Sequence, residues 1–360
     1  MFTLEEKAII WLSVFGDVSP GRKIKILNSF EDFSIIFNHK DKITECLNFL
    51  DQKRKSLMLD SLKLEYIDAY IEKLEKQEIK IVTIKNNLYP KKLLQIADPP
   101  IALYCKGDLS LLNSQCLSVV GTRRATKYGK EITKKLVRDV AYTGITIVSG
   151  LAEGVDKIAH ESALEVGGKT IAVLPSGFDH IYPKVNIDLA NKIINNGLII
   201  TEYKPKEECN AFHFPVRNRI VAGLSDATLI TEAPLKSGAL ITANYAIEFG
   251  RELFSVPGRV GDIYSEGCNK LIKDCQSSMV LESSNILEFF GKKASLNQEN
   301  EQLHLNNSEL KVYNVLKSCE HHFQEILLET GFEIKELTTL LLSMEMKGII
   351  KKLPGNFYKL

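Results

Sequence analysis

The chain has 360 residues, 25% of them charged and 44% hydrophobic, with 46 Lys and Arg against 45 Asp and Glu. That length supports one large core with small satellites, and the mix is that of a globular rather than a disordered chain. A net charge of +1 leaves a nucleic-acid partner open, because local charge rather than the sum governs such contacts. Seven cysteines (Cys46, Cys105, Cys116, Cys209, Cys268, Cys275 and Cys319) are scattered and form no C-x-x-C pair. Their spacing argues against a disulfide framework or a zinc site and for a reducing, cytoplasmic compartment.

The first residues, MFTLEEKAIIWLSVFGD, put acidic side chains ahead of a short apolar run, the reverse of a signal peptide. No apolar run in the chain approaches a membrane span. Residues 1–80 are rich in Lys, Glu, Leu and Ile with helical periodicity, as in LDSLKLEYIDAYIEKLEKQEIK, which predicts a small N-terminal helical domain. Within it, FGDVSPGRKIKILNSFEDFSIIF reads as helix, glycine turn, helix. That order is like a helix–hairpin–helix, without the Gly-x-Gly turn.

Residues 81–290 hold most of the glycines and prolines. Six apolar runs, at 117–120, 145–149, 170–174, 198–201, 227–231 and 253–256, predict strands, most of them separated by enough chain for a helix. Short continuous apolar strands alternating with helices imply an α/β fold with a parallel sheet covered on both faces. Polar, glycine-bearing segments follow the strands, and in an open sheet they gather at the carboxyl edge where ligands bind.

The first such loop is Gly121-Thr122-Arg123-Arg124, leading into a helix with Lys127, Lys130, Lys134, Lys135 and Arg138. Helix-start amides beside two arginines suit phosphate oxygens, whereas the helix tail from Lys134 to Arg138 reads as a solvated face. The second, Ser149 to Asp156, carries Gly150 and Gly154, which permit tight turning. Asp156 is expected to cap the helix bearing His160, and His160 to be a packing residue rather than a catalyst.

The third loop, Pro175 to Asn186, mixes Phe178, His180, Tyr182, Lys184 and Asn186. Rings beside cations suit unpaired bases, and they equally suit loop core, the reading preferred for Phe178. Phe212 to Arg219 adds Arg217 and Arg219 flanked by aromatics. Ser237-Gly238, opening a further helix, is a candidate anion nest.

Two other readings fail on spacing. Gly168-Lys169-Thr170 resembles the end of a P-loop, but the required earlier glycine is Ala163 and the segment precedes a strand. There is no G-x-G-x-x-G, so no dinucleotide cofactor is expected. There is also no G-x-S-x-G elbow or carboxylate cluster of metal-ligand spacing at this edge, so neither a catalytic residue nor a metal is assigned. Cations, amides, hydroxyls and rings fit binding better than catalysis.

Residues 291–307 are polar and aperiodic, a linker. Residues 308–360 read as helix, helix, turn at Gly331, helix, then a hairpin through Pro354-Gly355, the order of a winged helix. Its third helix, 334–347, balances Lys335 and Lys347 against Glu336 and Glu345, which suits protein contact better than DNA reading.

Taken together, YPKKLLQIADPPIALYCKGD, VVGTR, GITIVSGLAEGVDKIAH, GKTIAVLPSGFDHIYPKVN, FHFPVRNRIVAGLSDATLITEA, SGALITANYAIEFGRELFSVPG and GCNKLI resemble the DprA/Smf family across nearly all of 85–280. The resemblance implies an extended Rossmann-like fold, no enzymatic activity and binding of single-stranded DNA. It further implies interaction with RecA, in protecting incoming DNA during natural transformation and loading the recombinase. Carried over by position, the DNA-contacting residues are Gly121, Thr122, Arg123, Ser149, Gly150, Lys184, Asn186, Arg217, Asn218, Arg219, Ser237 and Gly238, to which the strand-end reading adds Arg124. The family also implies a homodimer through about 260–280, where Ile263, Leu271 and Ile272 are either interface or core. Glu153, and Leu174 to Gly177, depart from the family's usual pattern.

Two other classes compete. Phosphoribohydrolases share related folds and carry a P-G-G-x-G-T loop followed by glutamate. Here Thr231 to Thr242 keeps the phosphate nest without that full pattern, and Glu232 is the catalytic suspect. A protein–protein adaptor is the third reading.

Overall fold

Apolar runs too short for helices, and bounded by turn residues, become the strands of one large sheet in the computed structural model, which describes residues 2–15, 18–293, 305–317 and 319–360. The chain divides into two compact units, Met1–Ser295 and Leu296–Leu360. In the first, the helices α1 (Leu4–Ser13), α2 (Pro20–Asn28), α3 (Lys40–Cys46), α4 (Gln52–Asp60) and α5 (Leu64–Lys76) precede β1 (Lys80–Thr83) and β2 (Ala102–Gly107). There follow β3 (Cys116–Val120), α6 (Lys127–Tyr142), β4 (Thr146–Ser149), α7 (Val155–Glu165), β5 (Thr170–Val173), α8 (Ile187–Asn196) and β6 (Leu198–Thr201). The unit closes with α9 (His213–Leu224), β7 (Ala227–Ile230), α10 (Gly238–Glu248), β8 (Glu252–Ser255), α11 (Glu266–Lys273), β9 (Ser278–Met279) and α12 (Ser283–Phe289).

The nine strands run β1-β2-β6-β5-β4-β3-β7-β8-β9. From β6 to β9 every pairing is parallel, and β2 joins β6 antiparallel, with β1 antiparallel outside it. The chain leaves β3, winds outward through β4, β5 and β6, then returns to β7 on the other side of β3. This reversal of winding between β3 and β7 opens a crevice at their carboxyl ends, where open α/β sheets hold ligands.

Every residue of β3 through β7 is buried, as strands covered on both faces require. Leu136 and Val140 of α6, Ala159 of α7 and Ile286 of α12 pack on one face. Ile220 and Leu224 of α9, Ala243 of α10 and Leu271 of α11 pack on the other. The 1–80 segment shares a third core with this sheet: Ile9 and Ile10 of α1 and Ile71 of α5 lie with Tyr104 of β2 and Ile193 of α8. The N-terminal helices are thus packed into the sheet unit. The turn between α1 and α2 includes Gly16 and Asp17, which lie outside the described residues, as does most of the expected linker.

The second unit contains α13 (Asn307–Leu316), β10 (His321–His322), α14 (Phe323–Thr330), α15 (Ile334–Met346), β11 (Lys351–Leu353) and β12 (Phe357–Lys359), the strands ordered β10-β12-β11. Capping boxes start α13 (Asn306 with Glu309) and α14 (His322 with Glu325), and Gly331 ends α14 at φ 70, a left-handed cap that glycine adopts without strain. Val312, Ile326, Leu337, Leu341 and Tyr358 form its core. The order of elements is that of a winged helix.

Candidate nucleic-acid interface

At the β3/β7 crevice lies a cleft of about 510 Å³ whose walls include Thr122, Arg123, Arg124, Asn218, Lys236 and Ser237. A side lobe of about 260 Å³ shares Arg123, Arg124 and Phe214 with it and adds Tyr182 and Glu153. The walls are held by tight backbone packing. The Thr122 amide donates to the Glu232 carbonyl at 2.7 Å, and the Val155 amide donates to the Thr122 carbonyl at 3.2 Å. A Cβ on Gly121 would lie 2.6 Å from Val155 Cγ2 and 2.8 Å from the Glu232 carbonyl oxygen, so only glycine lets the loops after β3, β4 and β7 meet. Gly154, at φ 81, turns the chain into α7 where other residues would be strained.

Beneath the cleft lies a buried tier. Ser149 Oγ donates to the Val119 carbonyl at 2.6 Å, and Asn186 Nδ2 donates to the Leu151 carbonyl at 2.9 Å. Arg217, 3% exposed, donates through Nη1 to the carbonyls of Gly150 and Val173 and through Nε to Asn218 Oδ1 at 3.1 Å. A Cβ on Gly150 would lie 2.5 Å from that guanidinium. Arg219 Nη2 sits 2.7 Å from Glu202 Oε2, both side chains nearly inaccessible.

Ser149, Asn186 and Arg219, expected at the ligand, therefore turn inward. Each is tied to the backbone or to a buried countercharge, and exposing it would leave that partner unpaired. Arg217 reaches the floor of the cleft but directs its hydrogen bonds into the scaffold.

Burial and Arg217 also set the local titrations. Burial raises the Asp156 carboxyl above its usual range, opposed by Arg217 and by the amides of Ala152 and Gly150. Those amides explain why Asp156 does not cap α7 as expected. Its Oδ2 accepts from the Gly150 amide at 3.1 Å and from that of Ala152 at 3.4 Å, and Gly154 occupies the cap. Burial pushes Arg217 down to about 10 and, with Arg217 adding to it, His160 down to about 3.

The upper tier is open. Arg123 lies over the Phe214 ring at 5.0 Å, and Phe214 meets Tyr182 edge-on at 5.7 Å. Among the described residues no carboxylate lies within ion-pair distance of Arg123, Arg124 or Lys236. Ser237 caps α10, accepting from the Ala239 amide at 3.2 Å. Beside it Gly238 is exposed, and a Cβ there would meet nothing within 4 Å. Lys184 is exposed but does not line the cleft. Down α6, Lys134 and Arg138 pair with Glu165 at 2.9 and 3.3 Å, the solvated face expected of the helix tail.

Lys236 was not singled out from sequence, and its place next to Ser237-Gly238 was the available signal. Of the three expected interface residues, Ile263 is exposed on the cleft rim and Ile272 half-buried. Leu271 packs in the core beneath α11, a correction that follows from its apolar contacts with the sheet. Glu232 is 1% exposed. Its Oε2 accepts from the Thr126 amide at 2.9 Å and its Oε1 from the Thr126 hydroxyl, so it steadies the start of α6 and is absent from the cleft wall. Among the described residues no cluster of three His, Cys, Asp or Glu is placed to hold a metal, and no helix is long and apolar enough to cross a membrane.

The model of the DNA recombination-mediator protein A family matches residues 80–291. The chain is 41% identical to DNA processing protein DprA of Streptococcus pneumoniae over 62% of its own length and 78% of the relative's. It is 36% identical to protein Smf of Escherichia coli over 80% and 79%. The X-ray structure of the S. pneumoniae protein superimposes with a TM-score of 0.69 at 34% identity, covering 80% of this chain and 98% of that one. A structure of DNA processing protein A from Helicobacter pylori, described for its single-stranded DNA binding mode, gives 0.54 at 38% identity over 59% and 95%. With a family model spanning the whole sheet, and relatives matched over most of their own length, the chain belongs to the DprA/Smf family.

Proposed function

We propose that the chain is a DNA-processing protein that binds single-stranded DNA in the cleft at the β3/β7 crevice. The observation that carries this is the upper tier: Arg123, Arg124 and Lys236 without countercharge, around the open start of α10. Unpaired cations and helix-start amides suit phosphate oxygens, and Phe214 with Tyr182 offers a surface for an unstacked base. The H. pylori relative's single-stranded DNA binding mode supports the choice of ligand. Gly121, Thr122, Asn218, Ser237 and Gly238 line the cleft beside these cations, and exposed Lys184 follows Tyr182 and Pro183 of the side lobe in the chain, whereas Ser149, Gly150, Asn186, Arg217 and Arg219 support them from below.

In the same reading the chain works by binding rather than catalysis, as a homodimer through 260–280. It protects incoming DNA in natural transformation and passes it to RecA. Engagement of both Glu232 carboxylate oxygens by Thr126 weighs against a phosphoribohydrolase.

Anisotropy of a labelled oligonucleotide, single-stranded against duplex, tests the reading. The wild type is expected to prefer the single strand. An Arg123→Ala/Arg124→Ala variant is expected to lose at least tenfold in affinity and about 1.4 from the salt slope, at about 0.7 per phosphate contact, with stability within about 0.5 kcal/mol of wild type. Unchanged affinity in a folded variant would overturn the site. Release of free base from a nucleoside monophosphate would revive the hydrolase.

A further inference from the structure

A second groove, of about 350 Å³, runs between α5 and the loops that follow β5 and β6. Tyr70, Leu74 and Pro205 give it an apolar floor, and Lys73, Lys204 and Lys206 stand along it with a single carboxylate, Asp179. Among the described residues Lys73 and Lys206 have no ion-pair partner, and Lys204 reaches only Glu207, at 3.6 Å. Three lysines above an apolar strip are a poor surface for a solvated loop and a good one for a backbone of phosphates with sugars and bases beneath.

The groove lies on the same edge of the sheet as the cleft. Its two loops are welded into one surface, because the Asp179 amide donates to the Pro205 carbonyl and the Gly177 amide to the Glu207 carbonyl, both at 2.9 Å. An aromatic bridge spans the interval. Phe214 belongs to the cleft, and its neighbour His213 stacks on Tyr203 with centroids 4.2 Å apart, one residue before Lys204. Phe214, His213, Tyr203 and Lys204 thus join the cleft to the groove through two chain neighbours and one stack.

We propose that a bound single strand runs on from the cleft, across the His213–Tyr203 stack, into this groove, where Lys73, Lys204 and Lys206 hold its phosphates. The proposal rests on the cleft being the single-stranded DNA site. It gives the N-terminal helices, through Lys73 on α5, a direct part in binding. A short oligonucleotide fills the cleft alone, and a longer one engages both.

The test compares thymidine oligonucleotides of about 6 and about 25 nucleotides, chosen to bracket typical single-strand site sizes, on the full chain. The variants are Lys73→Gln/Lys204→Gln/Lys206→Gln, its triple Arg counterpart, and Arg123→Ala/Arg124→Ala. The Gln variant is expected to bind the short oligonucleotide as the wild type does. For the long one it loses about tenfold in affinity, and its salt slope falls by about 2, at about 0.7 per phosphate contact. The Arg variant restores both, and the cleft variant is weak at either length. Unchanged long-oligonucleotide binding by a folded Gln variant overturns the extension and leaves the cleft standing. Equal losses at both lengths also overturn it, since the lysines then act on the cleft itself. Failure of the wild type to bind either length overturns the cleft reading, and the extension with it.

Discussion

Arg123 and Arg217 stand at the same edge of the same sheet, each in a pair of arginines beside aromatic residues, and opposite forces hold them. Arg123 is solvated, has no ion-pair partner among the described residues and rests on a ring. Arg217 is out of water, its hydrogen bonds met by backbone carbonyls and its burial only partly offset by the charge of Asp156. The upper tier can give its hydrogen bonds to a ligand because the fold does not use them. The lower tier cannot, because the loops that shape the cleft are tied together through it. A basic residue in a binding motif is thus either a contact or the reason the contacts are in place, and the two fail differently when removed.

The largest effect expected from this difference is at Arg217. Arg217→Ala removes the donor that the buried Gly150 and Val173 carbonyls share and the charge that opposes the desolvation of Asp156, and stranding buried hydrogen-bonding groups costs about 1–3 kcal/mol each. Denaturant unfolding should show that loss, while DNA affinity measured on the protein that remains folded changes little. Wild-type stability with abolished DNA binding would move Arg217 to the upper tier and erase the distinction. Gly121→Ala comes next. Its Cβ would press on the Glu232 carbonyl at 2.8 Å and on Val155 at 2.6 Å, and overpacking of this kind costs about 1–3 kcal/mol. A lowered denaturation midpoint with retained affinity would mark the glycine as a packing device. An unchanged midpoint with lost affinity would mean that its backbone faces the ligand.

The sheet was largely legible in the sequence because its strands, buried on both faces, are continuous apolar runs between turn residues, and all six runs became strands. The antiparallel pair β1 and β2 escaped that reading, since KIVT and ALYCKG look like the ends of neighbouring helical or loop segments until they pair. The sidedness of the arginines was not legible. Helix α9 buries Arg217 and everything from Arg219 to Leu224, and a helix buried nearly all round has no polar stripe to say which way a charge points. Arg123 and Arg124 were easier, because they end a strand and precede a helix, where the chain emerges at the edge. Leu271 shows the same limit in apolar form, since interface and core draw on the same residue types.

The subtlest test, an effect confined to acidic pH, asks how dry the lower tier is. His160 on α7 is fully buried, with Nδ1 2.7 Å from Thr170 Oγ1. The Thr170 hydroxyl already donates to the Ile147 carbonyl at 2.8 Å, so it accepts from His160 and fixes the proton on Nδ1. That leaves Nε2 without a partner. Burial, reinforced by the charge of Arg217, pushes the imidazole down to about 3, against about 6.5 in the unfolded chain. Between those values the unfolded chain holds a proton that the folded chain refuses, so stability falls as the pH falls through that window and is unaffected above it. The linkage slope of about 1.4 kcal/mol per pH unit gives a loss of about 2 kcal/mol from about pH 6 to about pH 4.5. Subtracting the stability profile of His160→Gln from that of the wild type removes the other titrating groups and should isolate this one-proton slope. Parallel profiles would mean that the ring is protonated in the folded state. Water would then reach the lower tier, and the boundary between scaffold and contact surface would lie deeper than the Arg217 guanidinium.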